Sequence, residues 1–448
     1  MLSSDIQTIA KVVNGKLASK EVKRFTGICT DTRSEVKGKI FIALEGPNFD
    51  AHSFIKLAEE KGASAIIAHK KIDSNLPMIQ VRNTEKAYQD IASWHRQSHS
   101  PVVIALTGSN GKTSTKNMLY SILSLEAPTL STKGNLNNHL GVPQTLLDLQ
   151  DIHEFCIVEM GANHKDEIKL LCSIARPDIS IITNANNAHL GEFGSEENLV
   201  KAKGEIIESL SNDGVAILNN SSPHLKIWKE MSGTKNLRFF GNDSSVYATE
   251  ITEFKSHTKF NLNFTNQSLD INLSMIGLHQ VENALAATSC AIELGIKPEL
   301  IKKGLEKTMP EKGRLELIEL EDFIILDDSY NANPQSMKAA IDTLSNFSGK
   351  KILVLGSMGE LGEDSKKLHQ EIGQYVRQSN IDHLLTIGED AKEYQGTHFD
   401  DINSIYESLH NNLQSSTILV KGSRMMRLNE LVDKLVNTTN SSRPLDET

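Results

Sequence analysis

The chain predicts an α/β protein of three domains. These are a small mixed α/β N-terminal domain, a central P-loop domain built as a doubly wound parallel sheet with a β meander, and a C-terminal Rossmann-like doubly wound domain. Three observations predict it. The 448 residues are about three times an average domain of roughly 150 residues. Short apolar runs alternate with helical stretches in two separate series, the pattern of parallel sheets covered by helices on both faces. A glycine-rich segment sits between an apolar run and a helix at the head of the first series. The divisions are expected at residues 1–83, 84–312 and 313–448.

In the first division, 39–44 and 65–68 read as strands, and 52–61 reads as a helix that Gly62 ends. A helical connector over 84–97 leads to the polar, proline-ended link Ser98-His99-Ser100-Pro101. The second division then alternates. Strands are expected at 102–106, 155–159, 179–183 and 215–218, with helices at 112–125, 164–174 and 196–210. From about 236 to 275 the sequence reads as a β meander, with alternation in Phe260-Asn261-Leu262-Asn263-Phe264. Helices return at 280–294 and 298–307. The third division has strands at 323–326, 352–355, 384–387 and 418–420, and helices at 335–344, 365–378, 402–413 and 425–436. The polar tail from 437 to 448 reads as frayed.

Composition narrows the function. With 47 Lys+Arg against 57 Asp+Glu, the formal net charge is −10, which argues against a protein that coats nucleic acid. The longest apolar runs are strand-sized, too short to cross a membrane. The four cysteines, Cys29, Cys156, Cys172 and Cys290, form no CxxC pair. A disulfide framework or zinc site is not expected, and a reducing cytoplasm fits.

The strongest chemical signal is Thr107-Gly108-Ser109-Asn110-Gly111-Lys112-Thr113-Ser114. Glycines let backbone N–H groups approach phosphate oxygens, and the helix that follows adds its dipole. Lys112 is placed to neutralise the β and γ phosphates, and the Thr113 hydroxyl to bind Mg²⁺. The loop is the shorter GxxGKT form, since Leu106 stands where the longer pattern has its first glycine. Glu159 closes the next strand, at the edge where open α/β sheets bind ligands. Near a triphosphate a carboxylate there suits Mg²⁺; taken alone, it reads as a solvated strand end. His189, beside Gly191 at the following strand end, is a candidate second ligand, although a lone histidine is more often structural. Lys203 lies in Lys201-Ala202-Lys203-Gly204-Glu205, and its chemistry alone reads as an exposed surface lysine.

The phosphate loop, Gly134-Asn135-Leu136-Asn137-Asn138-His139-Leu140-Gly141-Val142-Pro143 and Glu159-Met160-Gly161-Ala162 together resemble the Mur ligases of peptidoglycan synthesis. Four more segments resemble the branch that adds D-alanyl-D-alanine to UDP-N-acetylmuramoyl-tripeptide. They are Thr30-Asp31-Thr32-Arg33-Ser34, Asp327-Asp328-Ser329-Tyr330-Asn331-Ala332-Asn333-Pro334, Leu355-Gly356-Ser357-Met358-Gly359-Glu360-Leu361-Gly362 and Val420-Lys421-Gly422-Ser423-Arg424. The motifs run in the family's order from about 25 to 435. Gln335 follows Asn333-Pro334, so the Asn-Pro-Arg signature of the diaminopimelate-adding branch is missing.

The resemblance implies a division of labour. Thr107, Gly108, Ser109, Asn110, Gly111, Lys112 and Thr113 would hold ATP, with Asn135, Asn283, Arg314, Asp328 and Asn331 around it. Thr113 and Glu159 would hold one Mg²⁺ and His189 a second, with Lys203, if carbamylated, as an anionic oxygen ligand beside them. Thr30, Asp31, Arg33 and Ser34 would contact the UDP precursor, and Asn333, Lys421 and Ser423 the dipeptide. Lys112, Lys203, His189 and Arg314 would carry the chemistry. The implied reaction activates the tripeptide carboxylate as an acyl phosphate in a cytoplasmic monomer that neither inserts in membranes nor binds nucleic acid. Competing readings are an amide ligase with another amine acceptor, a nucleotide switch and an inactive scaffold. The Asn-Lys-x-Asp base signature of GTPases is absent, and retention of Lys112, Thr113, Glu159 and His189 opposes a scaffold.

Overall fold

Where the first apolar runs pair, they build a five-stranded sheet in the order Lys16–Leu17, Met78–Gln80, Ala65–Ala68, Ile40–Ile42, Ile28–Cys29. The computed structural model describes residues 2–18, 23–186, 190–409 and 413–441. All neighbours in this sheet are parallel except the Lys16–Leu17 edge. The expected strand over 39–44 shortens to Ile40–Ile42. The expected helix over 52–61 splits into a 3-10 turn, Ala51–Phe54, and a helix, Ile55–Glu60, because Asp50 caps the turn by accepting from the His52 N–H. An unexpected helix, Ile6–Val12, starts at Asp5, whose carboxylate accepts from Thr8 N–H.

Helix Thr84–Gln97 connects to a nine-stranded sheet. Its order is Thr129–Ser131, Phe155–Glu159, Val102–Thr107, Ile179–Ile182, Val215–Asn219, Asn236–Phe240, Val246–Glu253, Thr258–Phe264, Gln267–Leu273. Strand Val102–Thr107 sends Ile104 and Leu106 into one core and Val103 and Ala105 into another. Burial on both faces is why its sequence reads as an unbroken apolar run. The meander begins later than expected. Asn236–Phe240 continues the parallel series beside Val215–Asn219, because the unexpected helix Leu225–Ser232 supplies the crossover a parallel pair requires. Only Val246–Glu253, Thr258–Phe264 and Gln267–Leu273 pair antiparallel.

The third sheet runs Glu316–Glu319, Phe323–Asp328, Ser416–Lys421, Lys350–Gly356, His383–Ile387, Thr397–Phe399. It is parallel except for the unexpected Glu316–Glu319 edge. The last helix is Asn429–Ser441, so the backbone the sequence leaves as a frayed tail from 437 is helical as far as Ser441. The 425–428 stretch expected within that helix instead holds a 3-10 turn, Arg424–Met426, and a left-handed Arg427.

Candidate active site

The carboxyl ends of the second and third sheets face one cavity of about 880 Å³. The phosphate loop forms its floor. Gly108 and Gly111 have φ of +154° and +78°, a region side chains avoid. A Cβ on Gly108 would come within 1.9 Å of Thr183 Oγ1, and one on Gly111 within 2.2 Å of Asn283 Oδ1. The loop is clamped from the neighbouring strand end. Thr183 Oγ1 donates to Asn110 O at 2.6 Å, Asn110 N donates to Asn184 Oδ1 at 2.9 Å, and Ser109 Oγ donates to Asn186 O at 2.8 Å. Thr107 Oγ1 donates to Met160 O at 2.8 Å. Lys112 Nζ folds back onto Gly108 O at 2.6 Å. Burial pushes the Lys112 ammonium below its usual range, partly offset by the Glu159 charge.

Glu159 is 1% exposed, so it is not a solvated strand end. Thr113 Oγ1 donates to its Oε2 at 3.0 Å and Asn137 Nδ2 to its Oε1 at 2.8 Å. Burial would raise this carboxyl, but Lys116, Lys112, Asn137 and Arg314 together hold it below its usual value. Thr113 and Glu159 thus present hard oxygen donors side by side, the kind Mg²⁺ takes. His189 lies outside the described residues. Lys203, on helix Glu196–Glu208, is 2% exposed, which corrects the surface reading. It lines the cavity, and its Nζ lies 5.8 Å from the centre of the Phe193 ring. Burial, then the nearby Lys112 charge, pushes its amine down to about 7.

Asn283 lines the cavity, accepting from Thr115 Oγ1 at 3.3 Å and donating to Gln280 Oε1 at 3.0 Å. Asn135, by contrast, is exposed and not among the lining residues; Asn137, two positions on, faces Glu159 instead. A bend over 133–137, with Asn137 N bonded to Asn135 O, separates the two side chains. Arg314 stacks on Tyr330, its guanidinium carbon 4.0 Å from the ring centre, and its buried Nε has no hydrogen-bond partner. Glu311 Oε2 lies 3.8 Å from that Nε, too far for a hydrogen bond, so the donor beside the phosphate loop still suits an anion. Lys421 Nζ donates to Asp328 Oδ2 at 2.6 Å and to Asn331 O at 2.9 Å. Asn333 caps helix Pro334–Ser345 and donates to Asn110 Oδ1 at 2.6 Å, so the third domain touches the phosphate loop. Ser423, also lining the cavity, donates its N–H to Ser357 O.

Thr30, Asp31, Arg33 and Ser34 lie elsewhere, beyond the end of strand Ile28–Cys29. Asp31 accepts from the Arg33 guanidinium at 2.7 Å and from Arg33 N at 2.9 Å, which holds its carboxyl at about 2. The parallel strands Ile28–Cys29, Ile40–Ile42 and Ala65–Ala68 open on the same edge, so Glu45, Asp50, His52, His69 and Lys70 share it. Glu45, His52 and His69 bring three ligand atoms within 4.8 Å of one another. Lys70 already serves these acids as counter-charge, 2.9 Å from Glu45 and 2.6 Å from Asp50.

Sequence reasoning missed Lys116, Asn137, Thr183 and Asn184 as site residues. Lys116 carried a signal, since it lies four residues after Lys112 on one helix face. The others hold the site through loop contacts that no spacing encodes.

Residues 106–291 match the family model of the Mur ligase middle domain, and residues 313–424 that of the Mur ligase glutamate ligase domain. The UDP-N-acetylmuramoyl-tripeptide–D-alanyl-D-alanine ligase of Escherichia coli (strain K12) is 38% identical, over 97% of this chain and 99% of its own. That of Bacillus subtilis (strain 168) is 34% identical, over 98% of this chain and 99% of its own. Among solved structures, MurF from Acinetobacter baumannii superposes with a TM-score of 0.93 at 35% identity, covering 98% of this chain and 99% of that one. MurF from Thermotoga maritima in complex with ADP gives 0.86 at 28% identity, covering 93% and 98%.

Proposed function

We infer the reaction from one premise: the chain belongs to the Mur ligase family, in the branch of UDP-N-acetylmuramoyl-tripeptide–D-alanyl-D-alanine ligases. It is an ATP-dependent ligase that joins D-alanyl-D-alanine to UDP-N-acetylmuramoyl-tripeptide. The observation that carries this is the 38% identity to the Escherichia coli enzyme over 97% of the chain.

The geometry supports a two-step mechanism. The tripeptide carboxylate oxygen attacks the γ-phosphorus of ATP, and ADP leaves. The dipeptide amine then attacks the acyl carbon, phosphate leaves, and the nitrogen gives up a proton. Lys112 and Arg314 are the charges suited to the transferring phosphoryl group. The backbone N–H groups of the loop Thr107–Thr113, with Asn283, Asp328 and Asn331, would orient the nucleotide. Thr113 and Glu159 would hold one Mg²⁺ and His189 a second, with a carbamylated Lys203 as a further oxygen ligand. When bound, Mg²⁺ would supply charge neutralisation for the nucleotide. Lys203 has the property carbamylation requires, a buried amine pushed down to about 7, so that a large share of it is neutral at neutral pH. Its lone pair attacks CO₂, a proton is released, and an anionic carbamate remains.

The three sheets support the assignment of 1–83 to the UDP precursor, through Thr30, Asp31, Arg33 and Ser34, and of 84–312 to ATP. Residues 313–448 are assigned to the dipeptide, through Asn333, Lys421 and Ser423, and to closure over ATP. We place the reaction in the cytoplasm, in a monomer. Four free cysteines support a reducing compartment, and among the described residues no helix is long and apolar enough to cross a membrane. Mass spectrometry of the product tests the reaction. The precursor must gain one D-alanyl-D-alanine less one water; gain of any other amine component would reassign the acceptor.

A further inference from the structure

Lys116 lies one turn beyond Lys112 on helix Lys112–Leu123. It is 2% exposed, and its Nζ sits 3.4 Å from Glu159 Oε2. It also donates to Gly134 O at 3.2 Å. The hydroxyl of Thr113 and the amide of Asn137 occupy the same carboxylate. Lys112 gives its hydrogen bonds to Gly108 O and Ser109 O instead. Among the described residues, Lys116 is therefore the cation in contact with Glu159. A buried carboxylate left without an opposite charge is strongly destabilising.

We propose that Lys116 is a positioning residue that acts through Glu159: its ammonium takes the place of the divalent cation until that cation arrives, and then opposes it. This rests on the reading of Glu159 and Thr113 as the cation's ligands. Two cations beside one carboxylate in a buried pocket repel. Lys116 is anchored there by the Gly134 carbonyl. The site therefore holds a free cation weakly and accepts it together with a triphosphate, whose negative charge offsets both lysines. The device keeps Glu159 pre-formed without nucleotide and ties cation loading to ATP loading.

The test uses the full chain without nucleotide, with Mn²⁺ as the probe and its free concentration read by electron paramagnetic resonance. Lys116→Met removes the charge with little change in shape, and Lys116→Arg keeps the charge. Lys116→Met is expected to bind Mn²⁺ tighter than the unmutated chain by about tenfold or more, and Lys116→Arg to bind as the unmutated chain does. In EDTA the Met variant should melt earlier, and Mg²⁺ should restore it. Mn²⁺ affinity unchanged or weakened in Lys116→Met overturns the proposal. So does a Met variant that fails to fold even in Mg²⁺, since a metal cation then cannot replace the ammonium. Glu159→Gln separates the two layers. If it binds Mn²⁺ like the unmutated chain, the ligand reading falls. If it loses Mn²⁺ while Lys116→Met gains nothing, the Lys116 proposal falls alone.

Discussion

At Lys203, burial prepares the chemistry. An exposed lysine amine titrates near 10.4 and is almost fully protonated at neutral pH; this one is pushed down to about 7. Between those values the unfolded chain binds a proton that the folded chain does not, so stability rises with pH through that window. In CO₂-free buffer, Lys203→Met should flatten that rise, measured by urea denaturation from pH 7 to 10. With ¹³C-bicarbonate, the unmutated chain should show a carbamate signal by NMR that Lys203→Ala lacks. A spectrum identical in both chains rejects the modification. Sequence reasoning left this residue on the surface because the spacing of Lys201-Ala202-Lys203 does not say which lysine faces inward. The helix decides it: Lys201 is exposed and pairs with Glu197, while Lys203 faces the cavity. Lys112 and Thr113 were legible because the loop's glycines and its helix are local features. Asn137 was not, because its partner Glu159 is 22 residues away.

The phosphate-loop helix shows what an element must do to hold such a loop still. Met118, Leu119 and Ile122 are fully buried against helix Leu278–Glu293 and helix Pro298–Lys307. Gly304 packs on Ile122 so closely that a Cβ there would lie 2.5 Å from Ile122 Cα. Ile122→Ala should cost roughly 2–5 kcal/mol of stability, as large-to-small core changes do. Urea denaturation measures this, and the KM for ATP should stay unchanged, since Ile122 does not line the cavity. Strands such as Val102–Thr107 and helices such as Ser365–Gln378 were readable because their apolar pattern is long or continuous. Thr129–Ser131 and Gly141–Leu147 are too short to show a period. Helix Leu225–Ser232 has no side-chain cap at His224, and without that start signal the strand after it was assigned to the meander.

Across the whole molecule, the contacts between the second and third domains among the described residues include two beside the cavity. One is the side-chain amide pair of Asn110 and Asn333. The other is backbone against backbone: a Cβ on Gly191 would lie 2.8 Å from Gly362 N. Gly191→Val should therefore wedge the domains apart without altering the phosphate loop. X-ray scattering should show a larger radius of gyration, and kcat should fall while nucleotide binding persists. Unchanged scattering and turnover would show that this contact does not hold the domains. That the fold has three domains was legible from length and alternation, whereas these contacts join residues far apart in the chain. The central claim is that the cavity at Gly111, Lys112 and Thr113 hands the outer phosphate of ATP to a carboxylate. Steady-state ADP release should require both UDP-N-acetylmuramoyl-tripeptide and D-alanyl-D-alanine, match amide formed one for one, and vanish in folded Lys112→Ala. Steady-state ADP release that ignores either substrate, or that survives in Lys112→Ala, would contradict it.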